Sequence, residues 1–200
     1  CEEMGLLKMD FLGLRTMGVI SNCLIDVNKK RIEQGLEPLD YDSIPINDPA
    51  VYEHISNGNT HGVFQLESAG MTTFMKELFQ DAHKYQKMED EMSKHFGDEL
   101  FERLIAGISL YRPGPLDEIP HYIHNMLHPE DIKYETEKLV DILKNTYSII
   151  VYQEQVMFIV RELAGFSKGQ SDTIRKAMGK KKKEIIQEYK NYFIYGSEEY

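Results

Sequence analysis

Six cations stand within the nine residues 175–183: Arg175, Lys176, Lys180, Lys181, Lys182 and Lys183. The 200-residue chain around them is acidic, with 23 Lys and Arg against 33 Asp and Glu, a formal charge of −10. Positive charge gathered at one place in an acidic chain suits an anion such as phosphate. The same lysines also suit a solvated surface, or the negative end of a helix dipole. A second chemical candidate is Asp10 with Lys8. Read as a strand, 5–14 puts both on one face and Met9 and Phe11 on the other, an arrangement open to metal–phosphate chemistry or to a plain ion pair of Asp10 with Lys8 or Arg15. A third is Arg112, which precedes Pro113-Gly-Pro. That loop is held out of helical geometry, and its planar fork can meet phosphate oxygens or pair with Asp117 or Glu118. His121, His124 and His128 share one helical face at a spacing that zinc could use, but no cysteine or carboxylate completes the set and a solvated face is expected.

The elements that must position these groups are mostly helical. Val156, Ile159, Val160 and Leu163 follow a helical stripe, with Tyr152, Gln153, Glu154 and Gln155 at its entry. Gly165 and Gly169 flank a break, Ser171 is suited to cap the next helix, and Gly179 to end it. Upstream, a helix over 16–35 should bury Val19, Ile20, Cys23, Val27 and Ile32, with Lys29, Lys30 and Arg31 facing its C-terminal dipole. A connector over 38–49 ends on Asp48-Pro49, which should cap a short helix running to Ile55. Ser68 should cap a helix over 69–78 that buries Met71, Phe74, Met75 and Leu78. In 61–68, Gln65 and Glu67 share one face if extended, as ligands or as satisfiers of nearby backbone. Another amphipathic helix covers 184–193.

Composition limits the function classes. The apolar content supports one sizeable domain or two small ones, and no run is long enough to span a bilayer. Two cysteines, Cys1 and Cys23, exclude a secreted disulfide framework and point to the reducing cytoplasm. A first residue of Cys suggests an internal piece of a longer protein. Walker A, Gly-x-Gly-x-x-Gly, Cys-x-x-Cys and Gly-x-Ser-x-Gly patterns are all absent.

Five stretches in order, KMDFLGL, GVFQLES, YRPGPL, YQEQVM and RKAMGKKK, resemble the C-family replicative DNA polymerases of bacteria, the polymerase III alpha subunits. The resemblance implies an α+β but predominantly helical fold: the last strand of the palm over 1–16, then fingers over 17–200 with a few short strands. It leaves 80–100 as an acidic insertion at the surface. It implies DNA-directed DNA synthesis with two Mg²⁺ ions. Asp10 would be one metal-binding carboxylate and Lys8 would lie near the nucleotide phosphates. Arg112, Arg175, Lys176, Tyr152 and Gln153 would bind the incoming deoxynucleoside triphosphate, and Lys180, Lys181 and Lys182 the DNA backbone. Its partners would be template–primer DNA, together with the sliding clamp and other replisome subunits through regions outside this chain. It would work at the nucleoid, with no membrane. The family's other two aspartates precede this segment, so the isolated piece is expected to be inactive. Without the resemblance, a non-catalytic helical module that binds nucleic acid or docks a protein partner remains open.

Overall fold

The computed structural model describes residues 4–6, 9–87 and 91–196. They fall into two compact units, Cys1–Ile46 and Asn47–Tyr200.

In the first unit the principal element is α1 (Arg15–Glu33), which starts without a side-chain cap at Leu14. It ends in a turn where Gly35 takes the left-handed conformation, φ +72°. The chain then folds back along the helix. Asn28 exchanges two hydrogen bonds with the Leu39 backbone, at 2.9 and 2.6 Å, and Arg31 Nε donates to the Glu37 carbonyl at 2.7 Å. Arg31 therefore ties down the connector as well as standing near the helix end. The expected inward stripe is not covered, because no residue of α1 is buried; Val19 is 67% and Ile32 62% exposed. An apolar stripe is buried only when another element packs on it, and the short return segment does not reach it. The expected strand around Asp10 is likewise not paired, and no strand occurs among the described residues of either unit. A strand needs a partner for its ladder, and an extended segment alone leaves its N–H and C=O groups to solvent. The predominantly helical fold is as expected; the few short strands are not found among the described residues.

The second unit is built from eight further α-helices among the described residues: α2 (Pro49–Ser56), α3 (Ala69–Leu78), α4 (Glu91–Leu110), α5 (Ile119–Leu127), α6 (Val140–Leu143), α7 (Gln153–Ala164), α8 (Lys168–Gly179) and α9 (Lys183–Tyr195). The caps of α2 and α3 are those expected. Asp48 accepts from the Ala50 amide at 2.9 Å with Pro49 in the first turn, and Ser68 Oγ accepts from the Met71 amide at 3.3 Å. Such caps satisfy amides that have no partner within the helix. The main core gathers Tyr52, Met71, Phe74, Met75, Leu78, Phe79, Leu100, Ala106, Leu110 and Tyr122. Asp81, Ala82 and Leu100 are buried, so both ends of 80–100 belong to the core. Helices α3 and α4 approach closely at Gly107, where a Cβ would stand 2.6 Å from Leu78 Cδ2 and 3.1 Å from Met75 Cε.

A smaller core of Val160, Phe166 and Ile174 joins α7 to α8, and Val156, Tyr189 and Tyr192 pack around it. Of the stripe expected in α7, Val160 is buried and Leu163 is 38% exposed. The link between these helices also differs from expectation. Gly165 is the α7 C-cap at φ +69°, but the α8 cap is Ser167, with Gly169 and Ser171 inside the helix. Ser167 Oγ accepts from the Gln170 amide at 3.3 Å while Gln170 Oε1 accepts from the Ser167 amide at 2.7 Å. This reciprocal box satisfies two free amides at once, where Ser171 alone would satisfy one.

Candidate phosphate-binding site

The site is built from the chain entering α7. Residues 143–152 turn sharply, with Tyr147 and Ser148 both left-handed at φ +52° and +69°. Neither is glycine, so the surroundings must hold the turn. A buried ionic hub does so. Arg103, 3% exposed on α4, donates to Asp81 Oδ1 at 2.8 Å, to Glu99 Oε1 at 2.7 Å and to the Tyr147 hydroxyl at 3.0 Å. The Tyr147 hydroxyl donates in turn to Glu99 Oε1 at 2.8 Å, and Asn125 Nδ2 to the Tyr147 carbonyl at 2.8 Å. Burial pushes the Tyr147 phenol upward, so it stays a neutral donor.

Gln155 finishes the helix entry. Its Oε1 accepts from the amides of Val151 and Tyr152 at 2.8 and 2.9 Å, and its Nε2 donates to Thr146 Oγ1 at 2.8 Å and the Ile142 carbonyl at 3.2 Å. Gln155 is buried and turned inward, so its part is structural. Tyr152 is half-buried against the main core, and burial raises its phenol to about 12. Gln153 and Glu154 are exposed.

On α8, Arg175 and Lys176 meet a carboxylate that sequence reading did not single out. Asp172 Oδ1 accepts from Arg175 Nε at 3.0 Å and Nη2 at 2.7 Å, and Oδ2 pairs with Lys176 Nζ at 2.7 Å. Arg175 Nη1 donates to Gln153 Oε1 at 3.2 Å, which joins the α7 entry to α8. Lys176 and Arg175, by donating hydrogen bonds, hold the Asp172 carboxyl below the usual carboxylate range. Three of the expected residues, Gln153, Arg175 and Lys176, thus stand together on a partly exposed edge, the two cations on Asp172 and Gln153 on Arg175. The signal was present in the sequence, since Asp172 lies three and four residues before the two cations.

The remaining candidates are placed separately. Lys180, Lys181 and Lys182 are exposed in the turn from α8 to α9, where Lys181 takes φ +52°. Arg112 is exposed at the end of α4, and neither Asp117 nor Glu118 pairs with it among the described residues. Its neighbour Tyr111 stacks on Phe74 at 5.9 Å between ring centroids, which anchors the loop. Glu67 accepts from the Gly62 amide at 2.9 Å, a backbone-satisfying role, and Gln65 is left-handed at φ +66°. Each histidine of the expected face has its own acidic neighbour: His121 with Glu118 at 3.1 Å, His124 with Asp131 at 3.2 Å, His128 with Glu130 at 3.6 Å. Asp10 is exposed in the first unit, and Lys8 lies outside the described residues.

Among the described residues no three His, Cys, Asp or Glu side chains gather to hold a metal ion. A pair of hard divalent cations requires several oxygen ligands, so Asp10 by itself does not make a magnesium site. No described helix is long and apolar enough to cross a membrane.

The sequence, compared with known families, matches one of them over nearly its whole length. The model for the bacterial DNA polymerase III alpha subunit finger domain matches residues 16–84 and 86–200. The chain belongs to that family. This finger domain is 41% identical over 196 residues to the DNA polymerase III subunit alpha of Staphylococcus epidermidis (strain ATCC 12228 / FDA PCI 1200), a match covering 98% of the chain. It is 40% identical over 198 residues to that of Staphylococcus aureus (strain Mu50 / ATCC 700699), covering 99%. In both cases the finger-domain chain spans 16% of the relative's length.

Proposed function

We propose that this chain serves a replicative DNA-directed DNA polymerase, with residues 17–200 acting as fingers over the incoming deoxynucleoside triphosphate and the template–primer. The observation that carries the reading is the family match over nearly the whole chain. The Gln153–Arg175–Lys176 edge supplies the chemistry it needs: two charged N–H donors on α8, one of them held by Gln153 of α7, set before the ligand arrives. Tyr152 seats the α7 entry against the core and so sets the height of Gln153. Arg112, exposed on its Pro-Gly-Pro loop, is a second phosphate contact, and Lys180, Lys181 and Lys182 meet the DNA backbone without reading bases.

Residues 1–16 are the end of the palm in this reading. Asp10 provides one carboxylate of a magnesium site whose other ligands lie outside this chain, and Lys8 lies near the nucleotide phosphates. Magnesium, when bound, polarises the phosphoryl oxygens and lowers the barrier to nucleotidyl transfer. Because Asp10 is a single ligand, the chain alone is expected to be inactive. The protein works in the bacterial cytoplasm at the nucleoid, and the clamp and other replisome subunits engage regions outside this chain. The experiment is primer extension by the full-length alpha subunit carrying Asp10→Ala. Extension should be lost while template–primer binding persists. Extension at the unaltered rate would remove Asp10 from the metal site.

A further inference from the structure

We propose that Asp172 is a positioning residue of the triphosphate site: its carboxylate draws Arg175 and Lys176 to one side of α8 so that their remaining donors face a single anion. The inference rests on the phosphate-binding reading above and adds the group that orients the cations.

Successive residues on an α-helix point about 100° apart, so two adjacent cations diverge unless something gathers them. Asp172 is placed to do that, being three residues before Arg175 and four before Lys176. Its two oxygens divide the work. Oδ1 takes the Nε and Nη2 edge of Arg175, at 3.0 and 2.7 Å, and Oδ2 takes Lys176 Nζ at 2.7 Å. Gln153 holds the third guanidinium nitrogen at 3.2 Å. The guanidinium has five N–H donors and the ammonium three. With one N–H used at each of these contacts, about two remain on Arg175 and about two on Lys176. The trio keeps a net positive charge, so an anionic phosphate is still attracted to it. Preorganisation of this kind lowers the entropy lost when the ligand binds.

The alternative is that the carboxylate merely occupies the place of a phosphate and competes with it. The two readings predict opposite signs. Single-nucleotide incorporation of dTTP opposite a template adenine should be measured with the full-length alpha subunit carrying Asp172→Ala, Asp172→Asn or Arg175→Ala, each with its unfolding midpoint. Asp172→Ala should raise the KM for dTTP about ten-fold. Asp172→Asn keeps one oxygen for the Arg175 edge and should recover part of that loss. Neither should move the unfolding midpoint by much, because the trio lies at the surface with about a third or more of each side chain in water. An unchanged or lowered KM in Asp172→Ala, with Arg175→Ala still raising it, would overturn the positioning role and leave the phosphate site standing. An unchanged KM in Arg175→Ala would overturn the phosphate reading and this inference together.

Discussion

At the scale of single residues, two ionic clusters of similar geometry have different consequences. Arg103 is 3% exposed and shares Asp81, Glu99 and Tyr147. Removing it leaves the largely buried Asp81 uncompensated while Glu99 keeps access to solvent, so Arg103→Ala should destabilise the protein by about 3 kcal/mol in denaturant unfolding. The Asp172 trio is partly open to solvent, and its worth lies in orientation. Sequence spacing held both clusters, as Glu99–Arg103 and Asp172–Lys176, but i,i+4 pairs are common on helix surfaces and spacing does not say which one is buried. The tyrosines give a pH prediction. Burial raises Tyr52 and Tyr152 to about 12 and pushes Tyr122 and Tyr147 up as well. Between pH 10 and about 12 the unfolded chain therefore loses phenolic protons that the folded chain retains, and stability falls as pH rises. Below pH 10 this contribution is fully present. Unfolding free energies at pH 9 and pH 11 should show the fall, and Tyr152→Phe should make it shallower.

At the scale of elements, the sequence was most informative where capping chemistry was local. Asp48-Pro49 and Ser68 marked α2 and α3 because a side chain and its amide partner lie within three residues. The start of α8 was misplaced at Ser171 because both serines are acceptable caps; Gln170, three residues after Ser167, was the distinguishing sign. Helix α1 was read correctly as a helix and incorrectly as buried, since periodicity reports a face and not what covers it. The joint between α7 and α8 carries the proposed site, and its contribution to stability should be measurable. Gly165→Ala places a Cβ at φ +69° and should cost about 1 kcal/mol. Ser167→Ala removes half of the capping box and should cost about 1 kcal/mol as well. Thermal unfolding of the two variants measures both. Because Gln153 reaches Arg175 across this joint, each should also weaken nucleotide binding.

At the scale of the whole molecule, a chain of net charge −10 does not attract DNA by its overall field, so the proposed contact with the DNA backbone requires a local patch. The turn holding Lys180, Lys181 and Lys182 is the exposed basic run proposed for that role. Replacing all three with alanine should lower the slope of log affinity against log salt by about 2–3, since each neutralised phosphate of duplex DNA contributes about 0.9. Equal slopes would show that the lysines are solvated surface. What composition and motif order conveyed at this scale was the family and the helical class. The hub beneath Tyr147 was not legible because it joins segments distant in the chain, and the burial of Gln155 was not because apolar periodicity does not mark an amide folded back on the preceding turn.

The most direct test of the account is whether a triphosphate covers Lys176. Amine-reactive labelling of the full-length alpha subunit on template–primer, read by mass spectrometry with and without the correct dNTP, should show Lys176 protected by nucleotide and exposed Lys190 on α9 unaffected. Equal labelling of Lys176 in the two states would contradict it.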